Sequence, residues 1–446
     1  IFNISLLYTK NMNKIIYFIN SINHKIKELN STFLTRYNAN RFKKYKLDFT
    51  NILFSSLLTL NNSSIEQVTG ILEEEYITSV SKTAIVKRRN CVKTYKYIDM
   101  LNNHMIQEIY NPKNKFINEY SFQIYKNDTW FTEVPYNKRD KSLFINNTSY
   151  RFIGCDCCQL NVLKDAVNND NIKISSSKNY GVILISSLFD IINNIPINYH
   201  SVHSNTDNFN KKKVNETTGL LAQFNKLNNN DIIVMDRWYY SKKLHLQFIK
   251  NNIGYIFRVK DNSLLFRNIG YGKSKIVQLN GETVQLFKYK IKKNQYNILT
   301  SITNKINIQE IKALYWKRWK IETDNKKFKY DILSANIRSK NNTTIQLDIE
   351  CIKFMSIISS VIEFLGKEKL KTNTKFNSKN CIGALYRKLL RFILYESTNY
   401  KEICRLVGII YKKIIPIING RSNKRIRISP STKWNVYGNR YGNKNK

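Results

Sequence analysis

The segment from Ile308 to Asp331 carries polar side chains whose types and spacing could bind a metal ion or phosphate groups. If the segment forms one helix at 100° per residue, four of these side chains share a stripe about 60° wide beside the apolar face. They are Tyr315, Arg318, Glu322 and Lys329. Geometry alone slightly favours a simpler interpretation, a solvated amphipathic helix with an i, i+4 ion pair between Arg318 and Glu322.

The spacing of these four residues favours the catalytic interpretation. It matches the signature Y-(2)-R-(3)-E-(6)-K without a gap, and the neighbouring residues RWKIE are similar as well. The chain therefore resembles the DDE transposases of the bacterial insertion-sequence family that carries this signature, the family-four type. The resemblance implies an α/β fold with a ribonuclease-H-like (integrase-like) catalytic core, a mixed sheet, a short all-β insertion, and helical N- and C-terminal regions.

The resemblance also implies the chemistry and the roles of the four residues. In such enzymes three acidic residues on separate elements bind two Mg²⁺ or Mn²⁺ ions, which activate water and then a 3′-OH for attack on phosphodiesters. Glu322 would be one of these acids. Arg318 and Lys329 would hold backbone phosphates, and Tyr315 would donate a hydrogen bond to a phosphate near the cleaved end.

Asp236 fits the second acidic position that the resemblance requires. It ends an apolar run at Met235 and opens the sequence DRWYYS, and ligands gather at the carboxyl ends of parallel strands. The family often has Gly or Ala where this chain has Trp238, which would narrow the site or supply a stacking ring. The simpler interpretation makes Asp236 a turn residue at the end of a strand.

Asp156 fits the first acidic position, within the sequence YRFIGCDCCQLNV. The family often continues with Gly and then Ser or Thr, whereas this chain has two cysteines. Asp165 and Asp190 are rival carboxylates. Asp190 ends an apolar run and is the second choice, whereas Asp165 lies nearer a loop.

Several other residues could be mistaken for functional ones. His200 and His203 form an HxxH pair, but residues i and i+3 of a strand face opposite sides, so we interpret them as polar edge residues rather than zinc ligands. Cys155, Cys157 and Cys158 could form a metal or redox site. We expect them instead to be small buried side chains beside the first acid.

Family members can form a DNA hairpin at the transposon end, with one flipped base stacked on an aromatic side chain. The candidates here are Trp238, Trp316 and Trp319, and the sequence does not choose among them.

Apolar patterns predict the elements that must position these residues. From residue 14 to about 125 the pattern is helical, with apolar residues three and four apart. Runs typical of strands follow at 150–163, 180–189, 195–203, 231–235 and 254–260, with helices at 215–227, 244–251 and 308–366. We predict three domains: 1–140, helical and DNA-binding; 141–366, catalytic, with the insertion at about 261–307; and 367–446, helical and basic.

The N-terminal region contains two short helical patterns that look like a helix-turn-helix. The second pattern carries four basic side chains that could contact DNA: Lys82, Lys87, Arg88 and Arg89. An ordinary solvated helical face explains the pattern about equally well.

The composition favours a polyanionic partner. The 446 residues include 73 Lys and Arg but only 32 Asp and Glu, a net charge of +41, and such a charge opposes compaction unless a partner neutralises it. We therefore predict DNA as the partner, both transposon inverted-repeat ends and target DNA. A homodimer would assemble on paired ends.

The sequence also bounds the compartment and the alternatives. Seven cysteines are too few for a disulfide framework and fit a reducing, intracellular setting. No apolar run is long and uncharged enough to cross a bilayer, so we expect no membrane partner. Two alternatives to a cut-and-paste transposase remain open, a DNA-binding relic without catalysis and a nuclease that cuts but does not join.

Overall fold

The structure is a computed structural model. It describes residues 2–35, 48–60, 64–76, 81–114, 121–126, 129–135, 144–145, 148–149, 151–163, 173–174, 180–202, 216–303, 306–332, 337, 339, 341–366, 370, 374–395 and 398–417. Asp165, His203 and the basic stretch 421–446 lie outside these residues.

The helices are α1 (Phe2–Thr35), α2 (Phe49–Leu60), α3 (Ile65–Tyr76), α4 (Lys82–Arg89), α5 (Val92–Tyr110), α6 (Glu216–Leu221), α7 (Lys242–Lys250), α8 (Ile308–Lys317), α9 (Lys320–Lys326), α10 (Asn342–Leu365), α11 (Ser378–Ala384), α12 (Leu390–Leu394) and α13 (Tyr400–Lys412). The strands are β1 (Ser121–Lys126), β2 (Thr129–Pro135), β3 (Phe144–Ile145), β4 (Thr148–Ser149), β5 (Arg151–Leu163), β6 (Lys173–Ile174), β7 (Tyr180–Asp190), β8 (Ile195–Val202), β9 (Asp231–Met235), β10 (Gly254–Val259), β11 (Lys273–Leu279), β12 (Glu282–Ile291), β13 (Asn294–Thr300), β14 (Thr374–Phe376) and β15 (Ile414–Pro416).

Among the described residues, one mixed sheet contains nine of these strands. Its centre has the order β8-β7-β5-β9-β10, with β6 also paired to β7. β5, β7 and β8 are antiparallel neighbours, whereas β9 runs parallel to β5, and β10 runs parallel to β9. An antiparallel meander followed by two strands parallel to its first strand is the ribonuclease-H-like arrangement. The predicted fold class is therefore confirmed.

The insertion extends the same sheet. β11, β12 and β13 form an antiparallel meander whose last strand pairs with β10, so the predicted all-β character of 261–307 is confirmed. Asn280 and Gly281 join β11 to β12 with φ angles of 56° and 85°. Two successive positive φ angles make the tight hairpin turn that an Asn-Gly pair favours.

Helices cover both faces of this sheet. On one face, Leu314 of α8 and Ile321 of α9 pack among buried residues such as Val234 of β9. On the other face, Leu244 and Phe248 of α7 pack against strand residues of the opposite orientation. The alternation of side chains along each strand supplies both apolar faces.

A helical bundle packs against the edge of the sheet that β8 forms. Its central helix, α10, is buried on nearly every side and contacts α5, α2, α1 and β8. A helix that is apolar all round is typical of such a central position. In the described residues, no helix combines the length and the apolar character that crossing a bilayer requires.

Two local predictions were wrong. The first was an uninterrupted helix after Ile308: α8 ends at Lys317, and Arg318 N and Trp319 N bond to carbonyls three residues back, at 3.2 and 3.1 Å. α9 follows, and then a π-helical segment, Lys327–Ile332. No Gly or Pro marks this break in the sequence. The prediction placed residues at 100° intervals, which holds only while every N–H bonds to the carbonyl four residues back.

The second wrong prediction was a helical pattern that reaches residue 125, where β1 lies instead.

Candidate active site

The strand register brings Asp156 and Asp236 side by side. Arg151 of β5 pairs with Asp231 of β9, and Gly154 pairs with Val234. If the same residue pairing is extended by two residues along both strands, Asp156 lies opposite Asp236. β9 ends at Met235, so Asp236 lies at the carboxyl end of a central parallel strand, where ligand sites form in such sheets.

A close approach of α9 to the sheet places Glu322 near these two residues. α9 contacts β5 and β7. A Cβ atom added at Gly154 would lie 3.7 Å from Ile321 Cβ and 2.8 Å from Ile191 Cγ2. Only glycine fits at position 154 without a shift of its neighbours, and this brings the residue next to Glu322 down onto β5.

The charges of the other two predicted acids influence Asp156. The pKa of Asp156 is raised from 3.8 to about 6, mainly by burial and also by the negative charges of Asp236 and Glu322. Arg318 and a hydrogen bond from the backbone N–H of Cys157 act in the opposite direction. The three predicted acids and the predicted arginine therefore share one electrostatic environment.

Arg318 is the central cation of this group. It is 5% exposed, and its Nη2 lies 3.6 Å from Glu322 Oε1. Burial would lower the pKa of the guanidinium, but Tyr315, Asp156, Asp236 and Glu322 together hold it above its usual value. Arg318 Nε has no hydrogen-bond partner among the described residues. This buried N–H group is thus left without a protein acceptor.

Asn325 orients the carboxylate of Asp156 and was missed by sequence reasoning. It lies one turn after Glu322 and is 7% exposed. Its Nδ2 donates to Asp156 Oδ2 at 3.4 Å, while its Oδ1 accepts a hydrogen bond from Ser187 Oγ at 2.9 Å. Ser187 is the β7 residue that pairs with Asp156. A polar residue three positions after a catalytic glutamate was the only available signal, and many helices have one.

A fourth carboxylate, that of Glu216, was also missed. It begins α6, the helix after β8, and is half-buried. Burial raises the pKa of Glu216, and the charges of Asp236 and Asp156 raise it further. Nothing in the local sequence distinguishes Glu216, because its proximity to the other two acids arises from the crossover between β8 and β9.

The donor set fits divalent metal ions in its chemistry. Asp156, Asp236 and Glu322 offer only oxygen ligands, which Mg²⁺ and Mn²⁺ prefer. Within the described residues, however, no three acidic, His or Cys side chains converge closely enough to hold a metal as they stand. Arg318 lies among the carboxylates instead. Like charges in a poorly solvated site separate unless a cation holds them together.

Comparison with known proteins points to the same chemistry. Residues 194–353 match the family model described as a transposase DDE domain. This part of the chain is similar to a transposase. The match includes Asp236 and Glu322 and begins after Asp156. It supports a DDE transposase, whereas membership of the family-four type stays a prediction.

One solved structure is similar along most of the chain. It is a cryo-EM structure of the piggyBac transposase synaptic complex with hairpin DNA. The similarity covers 94% of this chain and 89% of that chain, with 12% sequence identity and a TM-score of 0.42. No curated protein matches the chain significantly.

The two remaining signature residues differ in exposure. Tyr315 is 3% exposed, packs edge-on against Tyr296, and has its pKa raised by burial. Lys329 is half-buried on the π-helical segment, where its charge acts on Cys158. Cys158 lies two residues after Asp156 on β5, so the two side chains face the same side of the strand, and the charge of Asp156 acts on Cys158. Lys329 thus lies on the same face of the sheet as the acids.

The four basic side chains of α4 are not equivalent. Arg89 is buried and forms an ion pair of 2.9 Å with Asp348 of α10. Lys82 forms an exposed ion pair with Glu66 of α3. Lys87 is exposed and Arg88 is half-exposed. Of the four, Lys87 is therefore the best placed for an outside partner.

The rival residues have structural environments. Asp190 is fully buried and accepts hydrogen bonds from Tyr110 Oη at 2.6 Å and from the backbone N–H groups of Ile192 and Asn193. These bonds fix the turn between β7 and β8.

Two of the clustered cysteines contact a tyrosine. The hydroxyl of Tyr239 lies 3.6 Å from the sulfur of Cys155 and from that of Cys157, which face away from the acids.

The three tryptophans are all substantially exposed. Trp238 is 66% exposed, Trp316 43% and Trp319 44%. The rings of Trp316 and Trp319 lie 6.5 Å apart on either side of Arg318 in the sequence. Large aromatic side chains left in water beside buried carboxylates indicate a surface that a flat ligand could cover.

Proposed function

We propose that this chain is a DNA transposase that binds transposon inverted-repeat ends and catalyses metal-dependent strand cleavage and strand transfer by a cut-and-paste route. The observation that carries the proposal is that Asp156, Asp236 and Glu322, which lie on three separate elements, share one electrostatic environment with the buried Arg318. The match to a transposase DDE domain over residues 194–353 supports it independently.

In this proposal the three carboxylates hold two Mg²⁺ or Mn²⁺ ions, which supply Lewis-acid stabilisation of the attacking and leaving oxygens. Arg318 points its Nε toward a phosphate oxygen, and Lys329 holds a phosphate further along the strand. Tyr315 keeps Arg318 in place and contacts a phosphate near the cleaved end. Water loses a proton as it attacks the phosphorus, and the 3′-oxygen leaves and takes up a proton to become a 3′-OH. This 3′-OH then loses its proton as it attacks a phosphorus of target DNA, and the 3′-oxygen of the target strand leaves and is protonated.

Asn325 has a positioning role in this proposal. By donating to Asp156 Oδ2, its amide leaves Oδ1 of the same carboxylate turned toward the metal side. The hydrogen bond from Ser187 fixes which end of the amide donates. Glu216 would add a fourth negative charge and strengthen cation binding.

DNA affinity would come from the excess of basic side chains, which totals +41 over the chain. Residues 1–140 would form the DNA-binding domain, with Lys87 and Arg88 of α4 contacting the duplex. Lys82 and Arg89 would act mainly by joining α4 to α3 and α10. Residues 141–366 would form the catalytic domain and 367–446 a basic C-terminal region. Two protomers would pair the two ends.

Cleavage of inverted-repeat duplexes in Mg²⁺ tests the proposal. We expect Asp236→Asn and Glu322→Gln to lose at least about a thousandfold in cleavage rate, because no other group can replace a metal ligand. Binding of the same DNA should remain, since phosphate contacts supply that affinity. The matched control Glu28→Gln removes an exposed carboxylate remote from the site and should cleave like the parent.

The same assay separates the alternatives. A parent protein that binds ends but never cleaves would be a relic, and one that cleaves without joining strands would be a nuclease. Near-parental cleavage by either Asp236→Asn or Glu322→Gln would overturn the assignment of the site.

A further inference from the structure

A series of ring and guanidinium contacts runs from the insertion to the candidate active site. The rings of Tyr289 on β12 and Tyr296 on β13 are stacked, with centres 5.2 Å apart and planes 7° apart. The Tyr296 ring meets that of Tyr315 at 5.9 Å and 69°, and the guanidinium carbon of Arg318 lies 5.7 Å from the centre of the Tyr315 ring. One insertion residue, Tyr296, is thus two contacts away from the buried arginine of the site.

A second arginine covers the other face of Tyr296. The guanidinium carbon of Arg258 on β10 lies 4.4 Å from the centre of this ring, and Tyr289 already occupies the opposite face. Arg258 Nη2 donates to the carbonyl oxygen of Gln295 at 3.1 Å, and only 18% of the side chain is exposed. Cations are attracted to aromatic faces most strongly where little water reaches them. The contact therefore restrains both side chains.

Tyr315 lies between the two arginines. Burial raises the pKa of its hydroxyl, whereas the positive charges of Arg318 and Arg258 and a hydrogen bond from Arg258 lower it. Like charges on either side of one ring repel each other, so their positions depend on restraint by neighbouring side chains. Tyr296 supplies such restraint, because it contacts both Arg258 and Tyr315.

We propose that Tyr296 is a positioning residue of the candidate active site, which fixes the place of Arg318 through Arg258 and Tyr315. The part that Arg318 plays toward a phosphate rests on the proposed function. Tyr296 is 8% exposed, so it acts on a substrate only through its neighbours. The insertion then contributes to the chemistry, because its strands β12 and β13 carry the support that keeps Arg318 beside the carboxylates.

Three variants separate this role from ordinary core packing. Tyr296→Leu removes the ring and keeps an apolar side chain, whereas Tyr296→Phe keeps the ring and loses the hydroxyl. Phe287→Leu is the matched control, because Phe287 lies on β12 in the same apolar cluster and is 1% exposed. Urea unfolding should show similar losses of stability in the two leucine variants.

The first readout is single-turnover cleavage at saturating DNA, where affinity does not limit the rate. Tyr296→Leu should slow cleavage by roughly 100-fold, the loss expected when a group is misplaced by about 1 Å, and leave DNA affinity unchanged. Tyr296→Phe and Phe287→Leu should cleave like the parent. In an Arg318→Lys background, Tyr296→Leu should cost much less, because substitutions that act through one group are not additive.

The second readout needs neither DNA nor cleavage. Phenylglyoxal modifies accessible arginine side chains, and mass spectrometry of the digested protein gives the modification rate at each one. Arg318 is 5% exposed in the parent. Loss of one aromatic pair, worth about 0.5–1.5 kcal/mol, should raise the rate at Arg318 by about 2- to 13-fold in Tyr296→Leu. Phe287→Leu should leave that rate unchanged.

Equal losses of cleavage in Tyr296→Leu and Phe287→Leu, or full additivity with Arg318→Lys, would overturn the proposal. The two readouts also separate it from the proposed function. Faster modification of Arg318 in Tyr296→Leu, with a parent that never cleaves DNA, would keep the support by Tyr296 and overturn the transposase. A parent that cleaves ends, with Tyr296→Leu unchanged in both cleavage and Arg318 modification, would keep the transposase and overturn this inference.

Discussion

The buried charges between α5 and α10 are balanced, whereas the partly buried charges at the candidate active site are not. Lys353 is fully buried, and its Nζ lies 3.0 Å from Asp99 Oδ1, 3.2 Å from Glu350 Oε2 and 2.7 Å from Asn198 Oδ1. Burial alone would lower the pKa of Lys353, but the charges of Glu350 and Asp99 outweigh it and hold the pKa above its usual value.

At the candidate active site, negative charges outnumber positive ones. Asp156, Asp236 and Glu322 share the single buried cation of Arg318, and Glu216 adds further negative charge. The pKa of Asp156 rises to about 6 as a result of its burial and its neighbours. The same fold surrounds the charge of Lys353 with two carboxylates and an amide oxygen. It does not compensate the charge of Asp156 to the same extent. This difference supports the proposal that the site binds a cationic ligand, because uncompensated negative charge at a functional site costs stability.

The largest expected effect on stability comes from breaking the balanced cluster. Lys353→Met keeps most of the side-chain volume but leaves Glu350 and Asp99 without their buried cation, so we expect a loss of about 3–5 kcal/mol in unfolding free energy. Urea unfolding measures it. The control Lys25→Ala breaks only a surface pair with Glu28 and should cost about 0–1 kcal/mol. A loss of similar size in both variants would remove the distinction between the two regions.

Removing a charge from the active site should do the opposite. The pKa of Asp156, about 6 in the folded protein, exceeds the ordinary value of 3.8, so the folded state binds this proton more tightly than the unfolded chain. The ionised carboxylate therefore hardly lowers the free energy of unfolding below pH 3.8. It lowers that free energy increasingly between pH 3.8 and 6, and by the full amount above pH 6. Asp156→Asn should stabilise the metal-free protein at pH 8 by up to about 3 kcal/mol, at 1.36 kcal/mol per pKa unit.

Urea unfolding at pH 4, 6 and 8 checks this expectation, and the gain should vanish at pH 4. Asp261→Asn, which changes an exposed aspartate, should show no such gain. An Asp156→Asn protein that is less stable than the parent at pH 8 would mean that the carboxylate is satisfied in the fold and that the surplus charge has been misjudged.

Substitutions at two basic residues of α4, Lys87 and Arg89, should change different properties of the protein. Lys87→Ala changes an exposed side chain. It should leave stability within about 0.5 kcal/mol and weaken DNA binding, with the slope of log affinity against log salt falling by about 1. Arg89→Ala should leave the Asp348 carboxylate buried and unpaired, and thus reduce stability by about 3 kcal/mol or more. Salt titrations of binding and urea unfolding of both variants give the comparison. If Arg89→Ala changed only the salt slope, the buried ion pair would have no structural role.

Sequence patterns predicted the sheet well because each strand is a short apolar run between polar flanks. The run at 231–235 and the parallel strand β9 coincide, and all five residues are buried there. The Asn-Gly turn between β11 and β12 was likewise marked by residue type. The position of Asp236 could be inferred because it directly follows the apolar run of β9, whereas Asp156 lies within β5 and was assigned through the family resemblance.

The surroundings of the acids could not be predicted in the same way. The tight turn at Arg318, the contact of Asn325 with Asp156 and the proximity of Glu216 all depend on how α6 and α9 lie against the sheet. Gly154 permits that approach through the space its missing side chain leaves, and a single glycine within an apolar run does not reveal its partner. Arg89 looked like the other basic residues of its helix because Asp348 is far away in sequence.

The central claim, that the surplus carboxylates bind divalent cations, is tested most directly by calorimetric titration of the DNA-free protein with Mn²⁺. We expect saturable binding to the parent, and a loss of at least about tenfold in affinity, 1.4 kcal/mol or more, for Asp236→Asn. Glu28→Gln should bind like the parent. Indistinguishable isotherms for the parent and Asp236→Asn, or no binding to the parent at all, would contradict the claim.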